Sequence, residues 1–557
     1  MSNPIPLPIL NSYAPGKTGI NTSAPVMLVG FQNQGNLGLG YLAATLRQHG
    51  YRVEVFDFET SPQVLLEAAQ ANPPILIGFS LIFQFYIHRY RELIDFLRRN
   101  GVRCHFTMGG HFPSLSYQHT LELVPNLDSV VRFEGELTLL ELVTRLSHEE
   151  DWHSIQGLAY RTDEQVVSTS LRPLVDDLDL FPYPERDFKP VMTLGHTIMP
   201  LLASRGCART CSFCSIQTFY RTVPGKIVRT RKPSKVVDEM KMLHEERGTT
   251  IFLFQDDDFP LFGPVWQRWT REFVSELQKS GLPKHTVWKM NCRADAVDKD
   301  LFCSMRDAGL YLVYMGLESG NAEGLKTLHK QITVEQNLRA VEILKSIGLF
   351  FEYGFMLFDP SSTFEAVRAN LDFLRAIVGD GCCPVTFCRM LPYDGTAIKD
   401  DLANSGRLRG DVCNPDYDFL DPRLTEFYNA LTQYVDIRGW IHGYRALSLQ
   451  LGWAWNEVMI MDRLFPLGED LQAYKNILRQ ITQSSNGMLL GVVEDLSYVY
   501  SDGRTISWTA ETVEKARCQF LDDLLRERNR FVSANEDVLL RALGRNPAEE
   551  PKEMVEL

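Results

Sequence analysis

Twice along this chain, short apolar runs alternate with segments of helical periodicity. In residues 25–150 the runs Val26–Gly30, Val53–Asp57, Ile75–Phe79, His105–Met108 and Ser129–Phe133 read as buried strands. Helix-length amphipathic segments such as Leu39–His49 and His88–Arg99 separate them. Such alternation demands a parallel sheet covered by helices on both faces, here a flavodoxin-like domain whose ligands would sit at the carboxyl ends of the strands. A second series fills residues 196–400, with strands near 197–204, 250–255, 286–291, 311–316, 350–357 and 384–390. Helical patterns Lys235–Glu246, Val334–Ser346 and Phe364–Ile377 lie between them, which predicts a (β/α)6 partial TIM barrel. The fold class is therefore α/β. Residues 151–195, with the turn-rich stretch Asp176–Asp187, read as a linker. Residues 1–24 read as a tail, and residues 401–557 as a mainly helical domain with patterns at Leu424–Tyr434 and Ala516–Phe531 and a frayed acidic end.

Composition removes several alternatives. A length of 557 residues leaves room for roughly three or four domains. With 70 acidic against 57 basic residues the formal charge is −13, so no basic footprint for nucleic acid is expected. The longest apolar stretch, Ile75–Phe83, is too short to span a bilayer, and the N-terminus does not read as a signal peptide. The expected compartment is the reducing cytoplasm, where the 11 cysteines would not form a disulfide framework. No internal repeat is evident.

The segment Arg205–Ser215 reads RGCARTCSFCS and places Cys207, Cys211 and Cys214 directly after the first barrel strand. Thiolates so close together suit an iron–sulfur cluster or zinc. A structural zinc site would close its shell with a fourth Cys or His nearby, and the next cysteine is Cys292. Three protein ligands leave one coordination position open to a small molecule.

The CxxxCxxC spacing, with Phe213 before the last cysteine, resembles the radical S-adenosylmethionine (SAM) superfamily. The resemblance implies a 4Fe–4S cluster on Cys207, Cys211 and Cys214 that chelates SAM and cleaves it to a 5′-deoxyadenosyl radical. Tyr314–Gly320 (YMGLESG) resembles the family's glycine–glutamate motif on the fourth strand, which implies Glu318, with Gly316, as the partner of the SAM ammonium. Phe355 and Leu357, in Tyr353–Thr363 (YGFMLFDPSST), stand where the resemblance implies that the fifth strand's backbone borders the adenine. Leu391–Thr396 (LPYDGT) resembles a sixth-strand LPYPGT element, with Asp394 where proline is common. Arg293, after the third strand, is a candidate to pair with the SAM carboxylate, because guanidinium meets carboxylate bidentately.

The first domain resembles the cobalamin-binding domain that precedes many radical SAM barrels. The resemblance rests on Asn36–Tyr41 (NLGLGY), Gly109–Ser114 (GGHFPS) and Arg132–Glu136 (RFEGE). It implies a corrinoid against Gln34, Asn36, Leu37, Gly38, Gly109, Gly110, His111, Glu134, Gly135 and Glu136. The loop Phe31–Gly35 (FQNQG) holds no histidine for cobalt, and Asp151–Gly157 (DWHSIQG), with His153, only superficially matches the usual cobalt-ligand motif. A corrinoid with no histidine on cobalt is the resulting expectation, and a degenerate domain that binds no corrinoid is the alternative.

Other features carry less. Asp256, Asp257 and Asp258 end the second barrel strand, where they could orient substrate, bind a cation or cap a helix. The run Arg229–Lys232 reads as a solvated face rather than an anion site. Cys382, Cys383, Cys388 and Cys413 are a remote possibility for an auxiliary cluster, since adjacent strand residues point to opposite faces. The resemblance implies a cobalamin-dependent radical SAM C-methyltransferase acting on an unactivated carbon. A non-methylating cyclase or rearrangement enzyme is the alternative, and a non-catalytic zinc- or corrinoid-binding regulator a third. Partners would be a small-molecule or peptide substrate and an electron donor such as flavodoxin or ferredoxin.

Overall fold

The computed structural model describes residues 24–543 except 33, 34, 434 and 444. The expectations for the N-terminal tail, Gln34 and the acidic C-terminal end lie outside the described residues.

Strands β1 (Val26–Gly30), β2 (Val53–Asp57), β3 (Leu76–Ser80), β4 (His105–Gly109) and β5 (Ser129–Val131) are parallel, in the order β2-β1-β3-β4-β5. That is the flavodoxin-like order, with its switch point between β1 and β3. Alternate residues serve two cores. Met27 and Val29 pack with Phe79, Phe106 and Ile94, whereas Val26 and Leu28 pack with Leu39, Leu46 and Leu140 on the other face. Helices on both sides of the sheet require this continuous burial. Strand β5 ends at Val131, short of the expected Phe133, because Phe133 turns to a φ of +66°.

The linker expectation needs correction. Its first part forms β6 (Leu158–Arg161) and β7 (Val166–Ser168), which extend the first sheet antiparallel from β5. Its end forms β8 (Val191–Thr193), antiparallel to β9 (His196–Leu201) in the second sheet. Between them the chain is clamped onto the helix Leu37–Gln48: Glu185 N donates to Gly40 O at 3.0 Å. A Cβ on Gly40 would lie 2.3 Å from Glu185 O, so only glycine permits this approach.

An antiparallel ribbon, β10 (Ser204–Arg205) with β11 (Arg229–Thr230), brackets the cysteine loop. Then β12 (Thr249–Phe254), β13 (Val287–Arg293), β14 (Leu310–Glu318), β15 (Phe350–Phe358) and β16 (Cys388–Arg389) continue the parallel sheet from β9 into a half-barrel. Strand β16 is much shorter than residues 384–390. Val385 N donates instead to Asn486 Oδ1, at 2.8 Å, outside the sheet.

The C-terminal helices Pro422–Gln433, Leu447–Leu464, Gly468–Asp502 and Ala510–Ala534 share one core with the half-barrel. Trp455 stacks on Phe350 at 5.9 Å, Asn456 donates to Glu352 at 2.7 Å and Phe465 meets the His196 ring at 5.3 Å. These contacts carry the chain across the N-terminal ends of β15 and β9, where it closes the bottom of the barrel, while Phe427 of the helix Pro422–Gln433 packs on Phe358 at the carboxyl end of β15. No described helix is long and apolar enough to cross a membrane.

Candidate functional site

A cavity of about 600 Å³ lies where the carboxyl ends of the two sheets face each other. From the first domain it is walled by Gly78, Gly109, Gly110 and the Glu134–Glu136 loop, and from the barrel by Ser204, Arg205, Phe219, Tyr220 and Asp257. Its size is that of a cofactor pocket. Glycines at the strand ends bring backbone to its surface. Gly110, at φ +111°, approaches so closely that a Cβ would lie 2.2 Å from Leu81 O. Bare backbone beside aromatic walls and polar edges fits a large planar macrocycle with amide side chains.

Asn36, Leu37, Gly38, Gly109, Gly110, His111, Glu134, Gly135 and Glu136 all border this cavity. Several also have structural work. Asn36 caps the helix Leu37–Gln48, accepting from Leu39 N at 3.1 Å. The carboxylates of Glu134 and Glu136 are engaged by Arg229 and Arg205 of the ribbon, so these residues hold the domains together. His111 sits tilted on Phe219 at 4.6 Å, and burial pushes its imidazole down to about 4, which keeps it neutral. His153 is an exposed loop residue bonded to Asp151 at 2.6 Å and does not border the cavity.

The cysteine loop is fixed from below by the acidic cluster. Asp256 accepts from Ala203 N at 3.1 Å and from Ser204, and Asp257 accepts from Gly206 N at 2.9 Å. The solvated-face reading of the basic run is overturned, because Arg229 and Arg231 are 2% and 4% exposed. Arg229 binds Glu134 with two bonds, of 2.8 and 2.6 Å, and Arg231 meets Glu239 at 2.5 Å.

Burial, with the Asp258 carboxylate 3.9 Å away, pushes the Cys207 thiol up to about 12, and burial pushes Cys214 up to about 11. Such thiols keep their protons until a metal displaces them. Arg293 Nη1 lies 3.7 Å from Cys211 Sγ, a charged donor suited to a thiolate. The donor set fits an iron–sulfur cluster held by three ligands. His196 lies at the far end of β9, bonded to Thr250, and is no fourth ligand. Cys382 and Cys383 lie outside any strand and Cys413 sits against Gln84 of the first domain. Among the described residues no three His, Cys, Asp or Glu side chains, the cysteine triplet included, converge as the ligands of one metal ion would, so the triplet's fit to a cluster rests on its spacing and donor chemistry.

Glu318 ends β14 with a φ of +65°, a strained backbone for a non-glycine residue. Its Oε1 meets Lys330 Nζ at 2.9 Å, both side chains being buried. Lys330 escapes sequence reasoning because it stands alone in a loop without periodicity. It is presented between His329 and Gln331, both at positive φ, and their side chains reach Thr210 inside the cysteine loop. A Cβ on Gly316 would lie 2.4 Å from Glu318 Oε1 and 2.8 Å from Lys330 Nζ, so a side chain there would push this pair aside. An adjacent carboxylate and ammonium suit the two charged ends of an amino-acid zwitterion such as that of SAM.

Arg293 is already bonded to Asp295 at 3.0 Å and Lys330 O at 2.6 Å, which places it on the cysteine side. Phe213 packs against the barrel core. Phe355 and Leu357 are buried in the helix layer, Phe355 stacking on Phe373 at 5.7 Å, so Gly354 and Met356 face the barrel interior instead. Asp394 holds the first domain on the barrel: its carboxylate accepts from Ser116 at 2.8 Å, and its N–H donates to Gln84 at 2.9 Å.

Residues 26–143 match the B12 binding domain family and residues 201–374 match the Radical SAM superfamily. The chain belongs to the radical SAM enzymes that carry a B12-binding domain. For this family the two domains imply a 4Fe–4S cluster, SAM and cobalamin. An uncharacterised methyltransferase of Pyrococcus horikoshii is 28% identical over 65% of this chain and 77% of its own length. The anaerobic magnesium-protoporphyrin IX monomethyl ester cyclase of Cereibacter sphaeroides is 27% identical over 59% of this chain, and the match spans only 54% of that protein. The cobalamin-dependent SAM radical enzyme OxsB, solved with aqua-cobalamin and SAM bound, has the same fold. It gives a TM-score of 0.68 at 19% identity, covering 96% of this chain and 88% of that one.

Proposed function

We propose that this chain is a C-methyltransferase that moves a methyl group from SAM, by way of cobalamin, to an unactivated carbon. The observation that carries this reading is the cavity shared by the two domains. Its walls come from the corrinoid-domain strand ends and from the residues flanking the cysteine loop, so a methyl carrier and a radical source would face one another. When bound, the cluster and SAM supply a 5′-deoxyadenosyl radical and cobalamin carries the methyl group. The chain's own part is to orient and exclude. Glu318 and Lys330 grip a zwitterion, glycines at 316 and 354 leave room beside them, and Asp394 keeps the first domain seated over the barrel mouth.

The name of the Pyrococcus relative supports methyl transfer, and the Cereibacter cyclase keeps a non-methylating reaction as the second reading. A small molecule or peptide would be the substrate and a low-potential donor such as flavodoxin or ferredoxin the electron source. The test supplies the reconstituted, cobalamin-loaded chain with SAM carrying a deuterated methyl group and a low-potential reductant. Release of S-adenosylhomocysteine, with label in the substrate, is the expected result. Deoxyadenosine without any S-adenosylhomocysteine, measured with substrate present, moves the assignment to the cyclase or rearrangement class.

A further inference from the structure

The residues that flank the cysteine loop are also a wall of the neighbouring cavity. Ser204 and Arg205 precede Cys207, Phe219 and Tyr220 follow Cys214, and all four line the space. Arg205 is the firmest of these links. Its guanidinium meets Glu136 at 2.6 Å and Glu134 at 3.4 Å, both on the first-domain loop that forms the opposite wall. It also lies over the rings of Tyr41 at 4.6 Å and Phe181 at 5.4 Å. Arg229, across the ribbon, closes on the same Glu134.

The ribbon has little freedom to move alone. Gly206 takes a φ of +89°, and a Cβ there would lie 2.0 Å from Ile227 O. The ion cluster is nearly dry, with Arg205, Glu134 and Glu136 side chains 10%, 12% and 6% exposed. A buried ion group of this kind tolerates the loss or displacement of one member poorly, because the remaining charges are left uncompensated.

We propose that Arg205 is a positioning residue that couples the two metal-cofactor sites, so that the corrinoid wall is set only when the cysteine loop is held by its cluster. This rests on the reading that the cavity takes a corrinoid and the three cysteines a cluster. The coupling is reciprocal: whatever the cluster adds to corrinoid affinity, the corrinoid returns as cluster retention. No contact between Arg205 and the cluster is needed, because the rigid turn at Gly206 joins them.

The experiment measures hydroxocobalamin affinity, by corrin absorbance, for the full chain with and without a reconstituted cluster. The wild type should bind about tenfold more tightly when the cluster is present, within the usual range of coupling between sites. In Arg205→Met that ratio should fall close to one, and in Arg205→Lys, which keeps the charge but loses the fork, it should be intermediate. Because the ratio is taken within each variant, general loosening of the fold lowers both affinities and leaves it unmoved. Glu136→Gln removes one of the two carboxylates and should reduce the ratio partly, which serves if Arg205→Met does not fold. Equal affinities in the wild type, or a full ratio in both Arg205→Met and Glu136→Gln, overturn the coupling alone. A wild type that binds neither hydroxocobalamin nor iron overturns the underlying reading with it.

Discussion

Glu318 shows what one side chain can reveal about a site. A carboxylate at left-handed φ, buried against an ammonium and flanked by a glycine, is an arrangement that packing alone would not favour. Glu318→Gln should leave cluster iron unchanged and weaken SAM binding roughly ten- to hundred-fold, since losing a charged hydrogen bond costs about 1.5–3 kcal/mol. Equilibrium dialysis with labelled SAM on the reconstituted variant measures this, and unchanged affinity would mean that another acid receives the ammonium. Glu318 was legible because it lies in YMGLESG, where a motif surrounds it. Its partner Lys330 was not, since the pairing depends on a loop fold that no period announces. Which side chains of β15 point inward was not legible, because buried apolar runs do not say which alternate residues do so; Phe355 turns to the helix layer against Phe373, which leaves its backbone toward the barrel interior.

Among the elements, the ends of strands carry most of the chemistry, and β12 illustrates it. Asp256 is 2% exposed, and loss of solvation pushes its carboxyl up to about 7 despite the donors of Ala203 and Ser204. The folded pKa lies above the unfolded one. The associated stability is therefore fully present below about pH 4, the unfolded value, and is lost as pH rises through 7. Thermal midpoints of the chain and of Asp256→Asn, compared from about pH 5 to pH 8 across that window, should show the wild type falling relative to the variant. Identical slopes would mean that Asp256 stays ionised throughout. At this scale the strands β1 and β2 matched their expected bounds because apolar runs buried on both sides leave a sharp pattern. The hairpin β6–β7 stayed hidden because runs of four and three residues, LAYR and VVS, are too short to show a period.

At the scale of the whole molecule, the separate C-terminal domain read from residues 401–557 becomes part of the barrel's own body. Its long helix sends Asn486 to bond Val378 O at 2.8 Å, the last carbonyl of the helix Phe364–Val378. The same side chain bonds Cys383 O at 2.9 Å and Val385 N at 2.8 Å, and the short β16 leaves Val385 without a sheet partner. Glu494 on the same helix meets Arg375 of the barrel at 2.5 Å. Sequence periodicity identified these helices but not their partners, because a helix face reports that it is buried and not against what. Because the core is shared, the chain should have no C-terminal unfolding step of its own. Asn486→Ala would strand buried backbone groups at a cost of about 1–3 kcal/mol each. It should lower the barrel's thermal midpoint, followed through tryptophans such as Trp288 in β13, which lies far from the substitution in sequence. A chain ending before Pro422 should lose its cooperative transition altogether, since Phe358 and Phe364 would lose Phe427, against which they pack at 5.7 and 5.8 Å. Two resolved calorimetric transitions, with the barrel's unmoved by the Asn486 substitution, would show instead that the helices form an independent unit and that the bottom of the barrel is closed by contact without cooperativity.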